Sequence, residues 1–151
     1  MKILEILTPK KRIGNFGERE AVKLLRKSGY KILEKNYTAL GAEIDVIAKK
    51  DNVTAFIEVK TRNVKHLGYK EARPASSVTP EKQRKIIKAA KYYISHHQSD
   101  TRLRLDVIEV YLEDSRRLKV KGIKHIENAF DLNSAYDKKY QYIQHKERSN
   151  L

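Results

Sequence analysis

The chain has 151 residues, 40% of them hydrophobic and 34% charged, and a formal net charge of +14 at pH 7. That length suits one domain with a real core, and the hydrophobic share excludes a disordered chain. No apolar run approaches the roughly 18 residues of a membrane span, and the lack of cysteine excludes disulfides and thiolate metal sites.

A cysteine-free composition fits a reducing cytoplasm. The opening Met1-Lys2-Ile3-Leu4-Glu5-Ile6-Leu7 is broken by Glu5 and lacks a small-residue cleavage site, so no secretory leader is expected. A charge of +14 on so small a domain calls for a polyanionic partner, and nucleic acid is the first choice. A membrane surface would want a basic amphipathic helix with exposed Trp or Phe; the chain has no Trp and three Phe, so no membrane partner is expected.

Residues 8–13 read as a basic, Pro-containing lead-in. Gly14 to Ser28 reads as a helix with Ala21, Leu24, Leu25 and Ser28 on one stripe and Val22 beside it, ended by Gly29. Glu18 falls on the edge of its buried face, where an acid is ordinarily a dipole complement. Tyr30 to Glu34 follows as a short strand, and Asn36 to Gly41 as a loop.

Glu43-Ile44-Asp45-Val46-Ile47-Ala48 and Val53-Thr54-Ala55-Phe56-Ile57-Glu58-Val59-Lys60 are rich in β-branched residues, and Lys49-Lys50-Asp51-Asn52 between them reads as a tight turn. With the turn centred between Asp51 and Asn52, Asp45 faces Glu58 and Glu43 faces Lys60. Period-two alternation puts these four charges on one face and Ile44, Val46, Ile57 and Val59 on the other.

Thr61 to Val78 contains Gly68, Pro74 and Ser76-Ser77 without clean periodicity and reads as a long functional loop. Thr79-Pro80-Glu81 announces a second helix, with Gln83, Ile86, Ile87, Ala90 and Ile94 as its apolar stripe and Arg84, Lys85, Lys88 and Lys91 on the other faces. Leu103–Leu112 and Leu118–Ile126 alternate as strands, with a turn at Glu113-Asp114-Ser115. Residues 131–151 are a polar tail with Tyr and Lys but no core-forming stripe. The expectation is a single domain over 1–130, core about 12–130, of order α-β-β-β-α-β-β: an α/β fold with a mixed central sheet flanked by helices.

Like charges directly opposed on a hairpin are destabilising. A divalent cation between Asp45 and Glu58 reverses the sign, because hard cations take carboxylate oxygens. The competing reading is a solvated sheet face with a Glu43–Lys60 cross-strand ion pair. As a pattern, Asp45, twelve residues, Glu58-x-Lys60 is the set that metal-dependent phosphodiester cleavage needs. Two carboxylates hold Mg²⁺ or Mn²⁺, and a lysine on the same face stabilises the charge that builds on phosphate oxygens.

A longer series of ordered motifs surrounds this pattern. It runs Gly14-x-x-Gly17-Glu18-x-x-Ala21, Gly29-Tyr30, Asn36, Glu43-Ile44-Asp45-Val46-Ile47 and Phe56-Ile57-Glu58-Val59-Lys60-x-Arg62. Val78-x-x-x-Lys82, Arg104-Leu105-Asp106-Val107 and Ile126-x-Asn128-Ala129-Phe130 complete it. In this order the chain resembles the bacterial YraN family (UPF0102), which is similar to the PD-(D/E)xK nuclease superfamily and to archaeal Holliday-junction resolvases. The resemblance implies a restriction-endonuclease-like αβββαβ core and metal-dependent phosphodiester chemistry; because the chain has no base-reading motif, a DNA endonuclease of this kind is expected to select structure over sequence. Asp45 and Glu58 would be metal ligands, Lys60 the catalytic lysine, Glu18 a helix-borne acid near the metal, and Lys82-Gln83 a polar pair on the second helix. One departure is Ala42, where the family pattern has glycine.

Residues 61–91 carry nine Lys and Arg against two acids, half the chain's net charge. Arg62, Lys70, Arg73, Lys82, Arg84 and Lys85 in this segment are the candidate nucleic-acid contacts, with DNA the expected partner. Two further readings stay open: a nucleic-acid-binding module without turnover, and a scaffold docking on RNA or protein. A second copy of the chain, as a homodimer, is also open. Asp106 either joins the site or pairs with an arginine of its own segment. The five histidines show no zinc-ligand spacing.

Overall fold

A computed structural model describes residues 9–64 and 78–130. It is an α/β fold: α1 Pro9–Lys27, β1 Lys31–Ala39, β2 Ala42–Lys50, β3 Val53–Asn63, α2 Pro80–His96, β4 Arg102–Asp114 and β5 Lys119–Ile126. The sheet order is β1-β2-β3-β4-β5, with β3 and β4 parallel and the other neighbours antiparallel. α2 is the crossover that the parallel pair requires. The described helices long enough to be tested include none that is apolar enough to cross a membrane.

The sheet separates two cores. Ala21, Val22 and Leu25 of α1 pack with Val46, Ala48, Ala55, Ile57, Ile108, Val110 and Leu112. On the other face Ile86, Ile87, Ala90 and Tyr93 of α2 pack with Ile47, Phe56, Leu105 and Val107. β4 is buried without interruption from Leu105 to Leu112, as a strand covered on both faces must be.

Several boundaries differ from expectation. α1 begins at Pro9, so the basic lead-in is its first turn; proline suits that place because its missing N–H has no partner there anyway. Its buried stripe is Gly17, Ala21, Val22 and Leu25, while Ser28 is exposed. The helix stops where expected: Gly29 has φ 90°, and Tyr30 N donates back to Leu25 O at 2.9 Å. β1 runs through most of the expected loop to Ala39, because Leu40 and Gly41, at φ 51° and 76°, close a two-residue hairpin. β3 continues three residues into the expected long loop, carried by its parallel pairing with β4 as far as Asn63↔Leu112. β4 likewise extends through Asp114, two residues into the expected turn, and pairs there with Lys119. The rest of that loop, residues 65–77, and the tail 131–151 lie outside the described residues.

α2 starts as expected. Thr79 is the N-cap, its Oγ1 accepting from Lys82 N at 3.2 Å, and Pro80 opens the helix. The buried face adds Tyr93, whose ring meets Tyr37 and Phe56 edge-on.

Candidate functional site

The β2–β3 hairpin has the expected register, with Val46↔Ile57, Ala48↔Ala55 and Lys50↔Val53. The ladder ends at Val46↔Ile57 although both strands continue. β2 goes on with β1 back to Ala42, and β3 goes on with β4. At this fork Val59 N donates to Asp45 Oδ2 at 2.7 Å, so a carboxylate takes the place of a backbone acceptor. Alternation breaks here too: Ile44 packs in the core under α2 and Val46 in the core under α1, not together as a strict period of two requires. The break lies beside Asn36 of β1, which sits at φ 51°. Asp45 and Glu58 are thus brought to the fork, but Glu43 is not placed against Lys60, and no ion pair joins them.

Glu58 is 7% exposed and meets two lysines at one oxygen. Lys60 Nζ lies 3.3 Å from Oε1, and Lys82 Nζ, from the first turn of α2, lies 2.5 Å from the same atom. A buried carboxylate needs such partners. Burial alone lowers the Lys82 pKa, but the hydrogen bond and charge of Glu58 outweigh it and hold the ammonium above its usual range. Oε2 of Glu58 takes no protein donor among the described residues.

At Asp45 and Glu18 the partners do not outweigh burial and the neighbouring acids. Burial and then the charge of Glu58 push Asp45 up to about 7, against the hydrogen bond from Val59, and Glu18 adds to the rise. Glu18 is itself raised, first by burial and then by Glu43. With its carboxamide nitrogen turned to the acids, Asn36 donates to Glu18 Oε2 at 3.1 Å and Glu43 Oε1 at 3.3 Å. α1 approaches closely enough for Glu18 to take part because residue 17 is glycine. A Cβ there would lie 1.8 Å from Thr61 Oγ1 on β3.

A cleft of about 460 Å³ opens at the fork, lined in part by Glu43, Asp45, Glu58, Lys82 and Lys85. The other sequence candidates distribute unevenly. Gln83 is buried beside the site but does not line the cleft; its Nε2 donates to Val78 O at 2.9 Å and its Oε1 takes no hydrogen bond among the described residues. Lys85 is exposed and lies 3.8 Å from Glu81. Arg62 turns to Glu109 of β4, Nε to Oε1 at 3.8 Å. Arg84 is partly buried, and Lys70 and Arg73 lie outside the described residues.

Sequence reasoning gave two residues no role in the site. Asn36 bridges two acids, and its signal was an Asn in a segment that otherwise pairs as a strand, where left-handed backbone favours Asn. Glu109 is fully buried, with Oε2 accepting from the Tyr111 hydroxyl and Oε1 facing Arg62 without a hydrogen bond among the described residues. Its signal was an acid inside the most apolar strand. Asp106 is structural: Arg104 Nε and Nη2 each reach it at 2.8 Å, His125 Nε2 approaches at 2.8 Å, and Asn128 N donates at 3.0 Å.

The donors fit a hard divalent cation in kind. Asp45 and Glu58 are oxygen ligands, and burial with neighbouring acids raises Asp45 and Glu18 despite the charge of Lys82 near Asp45. Among the described residues no three acidic or histidine side chains are already gathered as a cage, so a cation would rest on a two-carboxylate set.

A family model described as "Uncharacterised protein family UPF0102" matches residues 17–110, which take in the second half of α1, the fork, α2 and most of β4. A UPF0102 protein of Clostridioides difficile is 46% identical over 121 residues, 80% of this chain and 97% of that protein. Relatives from Caldanaerobacter subterraneus and Caldicellulosiruptor saccharolyticus are 43% and 38% identical over 122 residues each, 80% of this chain and 96% and 98% of theirs. With the match taking in every acid of the fork and near-complete coverage of these relatives, the chain belongs to the UPF0102 family.

Proposed function

We propose that the chain is a Mg²⁺- or Mn²⁺-dependent endonuclease hydrolysing phosphodiester bonds in DNA, selective for structure over sequence. The observation that carries the reading is the fork itself, where Asp45 and Glu58 meet with Lys60 on Glu58 Oε1 at 3.3 Å. Asp45 and Glu58 would hold the cation, which when bound would supply Lewis-acid activation of water and of the phosphoryl oxygens. Lys60 Nζ, fixed by Glu58, donates a hydrogen bond to the developing phosphate charge. Asn36 orients Glu18 at the rim of this site. Lys82 and Lys85 at the cleft, with Arg62 beyond Lys60 on β3, supply contacts to the backbone phosphates. A cytoplasmic setting and action as a single chain or a homodimer both suit this chemistry.

The second reading is a nucleic-acid-binding module without turnover. Lys82 on Glu58 favours it, since a lysine already neutralises the acid that a cation would need.

The deciding experiment incubates duplex, flap, four-way-junction and single-stranded DNA with wild type and with Asp45→Ala, Glu58→Ala and Lys60→Ala, under Mg²⁺ and under Mn²⁺. Cleavage by wild type that each substitution abolishes is the expected result. DNA binding without metal-dependent cleavage of any substrate refutes the enzyme and leaves the binding module.

A further inference from the structure

Lys82 and Lys60 both reach Glu58 Oε1, but they are held differently. Lys60 shares β3 with Glu58, so its proximity is fixed by the strand. Lys82 comes from another element. Its backbone is set by the Thr79 cap, while its side chain is 43% exposed and lies along the cleft wall. A lysine with that much access to water ordinarily extends its ammonium outward. This one turns inward to a carboxylate that is 7% exposed, at 2.5 Å. Lys85, three residues on and lining the same cleft, turns instead to Glu81. The inward turn therefore follows from the acids and not from the helix.

We propose that Lys82 is a built-in cation of the metal-free site: it exchanges with the divalent ion at Glu58, and its released ammonium then takes a backbone phosphate of the nucleic acid. The inference rests on the reading of Asp45 and Glu58 as metal ligands and adds two couplings to it. Lys82 and metal compete for one carboxylate, because two cations drawn to the same oxygen repel each other. Metal and polyanion cooperate, because each is bound better once the other has drawn Lys82 off Glu58, and linkage makes that effect reciprocal. Metal-free protein thereby keeps Glu58 neutralised and spends one less positive charge on DNA.

Calorimetric titration with Mn²⁺ tests the competition on the full chain. Lys82→Met keeps the stem that packs along the cleft and removes the charge, and it is expected to bind Mn²⁺ about tenfold more tightly than wild type. Lys82→Arg keeps the charge and should bind like wild type. Lys85→Met, which removes a cleft charge that does not touch Glu58, should change affinity by less than about twofold. Equal Mn²⁺ affinity in Lys82→Met and wild type overturns the proposal, as does an equal gain in Lys85→Met.

Duplex binding in Ca²⁺ and in chelator tests the cooperation. The salt dependence of wild type should steepen by about one phosphate contact when Ca²⁺ is present, and that of Lys82→Met should not. An unchanged wild-type slope refutes the exchange. Competition and steepening without cleavage of any DNA leave this inference standing and remove the hydrolytic reading alone. If wild type binds no Mn²⁺, both fall.

Discussion

Replacing Asp45 by Asn should stabilise the metal-free protein while abolishing metal-dependent behaviour. Asn keeps an oxygen for Val59 N, so the hydrogen bond at the fork survives and only the charge is lost. The magnitude follows from the Asp45 pKa, held at about 7 against an ordinary 3.8 by burial and then Glu58. A carboxyl raised in the fold opposes folding when ionised. The penalty is absent below about pH 3.8, grows as the pH rises, and is complete above about pH 7. Its ceiling is on the order of 4 kcal/mol, and relaxation of a partly exposed group brings the realised gain to about 2 kcal/mol. That is a large part of the 5–15 kcal/mol typical of a whole domain. Urea unfolding in chelator at pH 4 and pH 8 measures it. The two proteins should match at pH 4, and Asp45→Asn should be the more stable at pH 8. Mn²⁺ at pH 8 should raise the midpoint of wild type only. A variant less stable than wild type at pH 8, or a difference of the same size at both pH values, refutes the electrostatic account.

Gly17→Ala should lose about 1–3 kcal/mol, because its methyl falls 1.8 Å from Thr61 Oγ1 and 3.0 Å from Thr61 Cβ. Gly17→Ala with Thr61→Ala should recover most of the loss in urea unfolding, and additive losses would show that the contact is not its source. Asp106→Asn should cost about 1.5–3 kcal/mol by replacing the charged acceptor of the partly buried Arg104 with a neutral one. Burial raises the Asp106 pKa, but hydrogen bonds from His125, Arg104 and Asn128 outweigh it and leave the carboxyl below its usual value. Its stabilisation is therefore present above about pH 3.8 and is lost as the pH falls further, through the depressed value. Acid unfolding of wild type should steepen in that window and that of Asp106→Asn should not; parallel curves would contradict the assignment.

The elements legible in the sequence were those whose cause is local. Gly29 ends α1 because a left-handed residue must follow it, and Thr79-Pro80 starts α2 because a cap and a fixed φ are needed there. The Asp51-Asn52 turn fixed the register of β2 on β3, and with it the meeting of Asp45 and Glu58. What local pattern cannot carry is where two paired strands part company. Ile44 belongs by alternation with Val46, yet it packs on the opposite face, because β2 stays with β1 while β3 leaves with β4. The same parting separates Glu43 from Lys60 and gives Glu43 to Asn36 on the side of α1.

Charge counting has the same blind spot. Nine basic residues over 61–91 suggest a track for a polyanion, but a lysine that balances an acid and a lysine awaiting a phosphate are identical in a count. Contacts separate them. Lys82 is on Glu58, Lys85 is beside Glu81, and Arg62 faces the fully buried Glu109. Each of these cations already has an acid, and at Glu58 two of them share one oxygen while Asp45 next to it is left raised. A site built only to bury Glu58 would need neither the second lysine nor an Asp45 raised beside it. A divalent ion between the two carboxylates would offset the Asp45 charge and compete with Lys82 for Glu58.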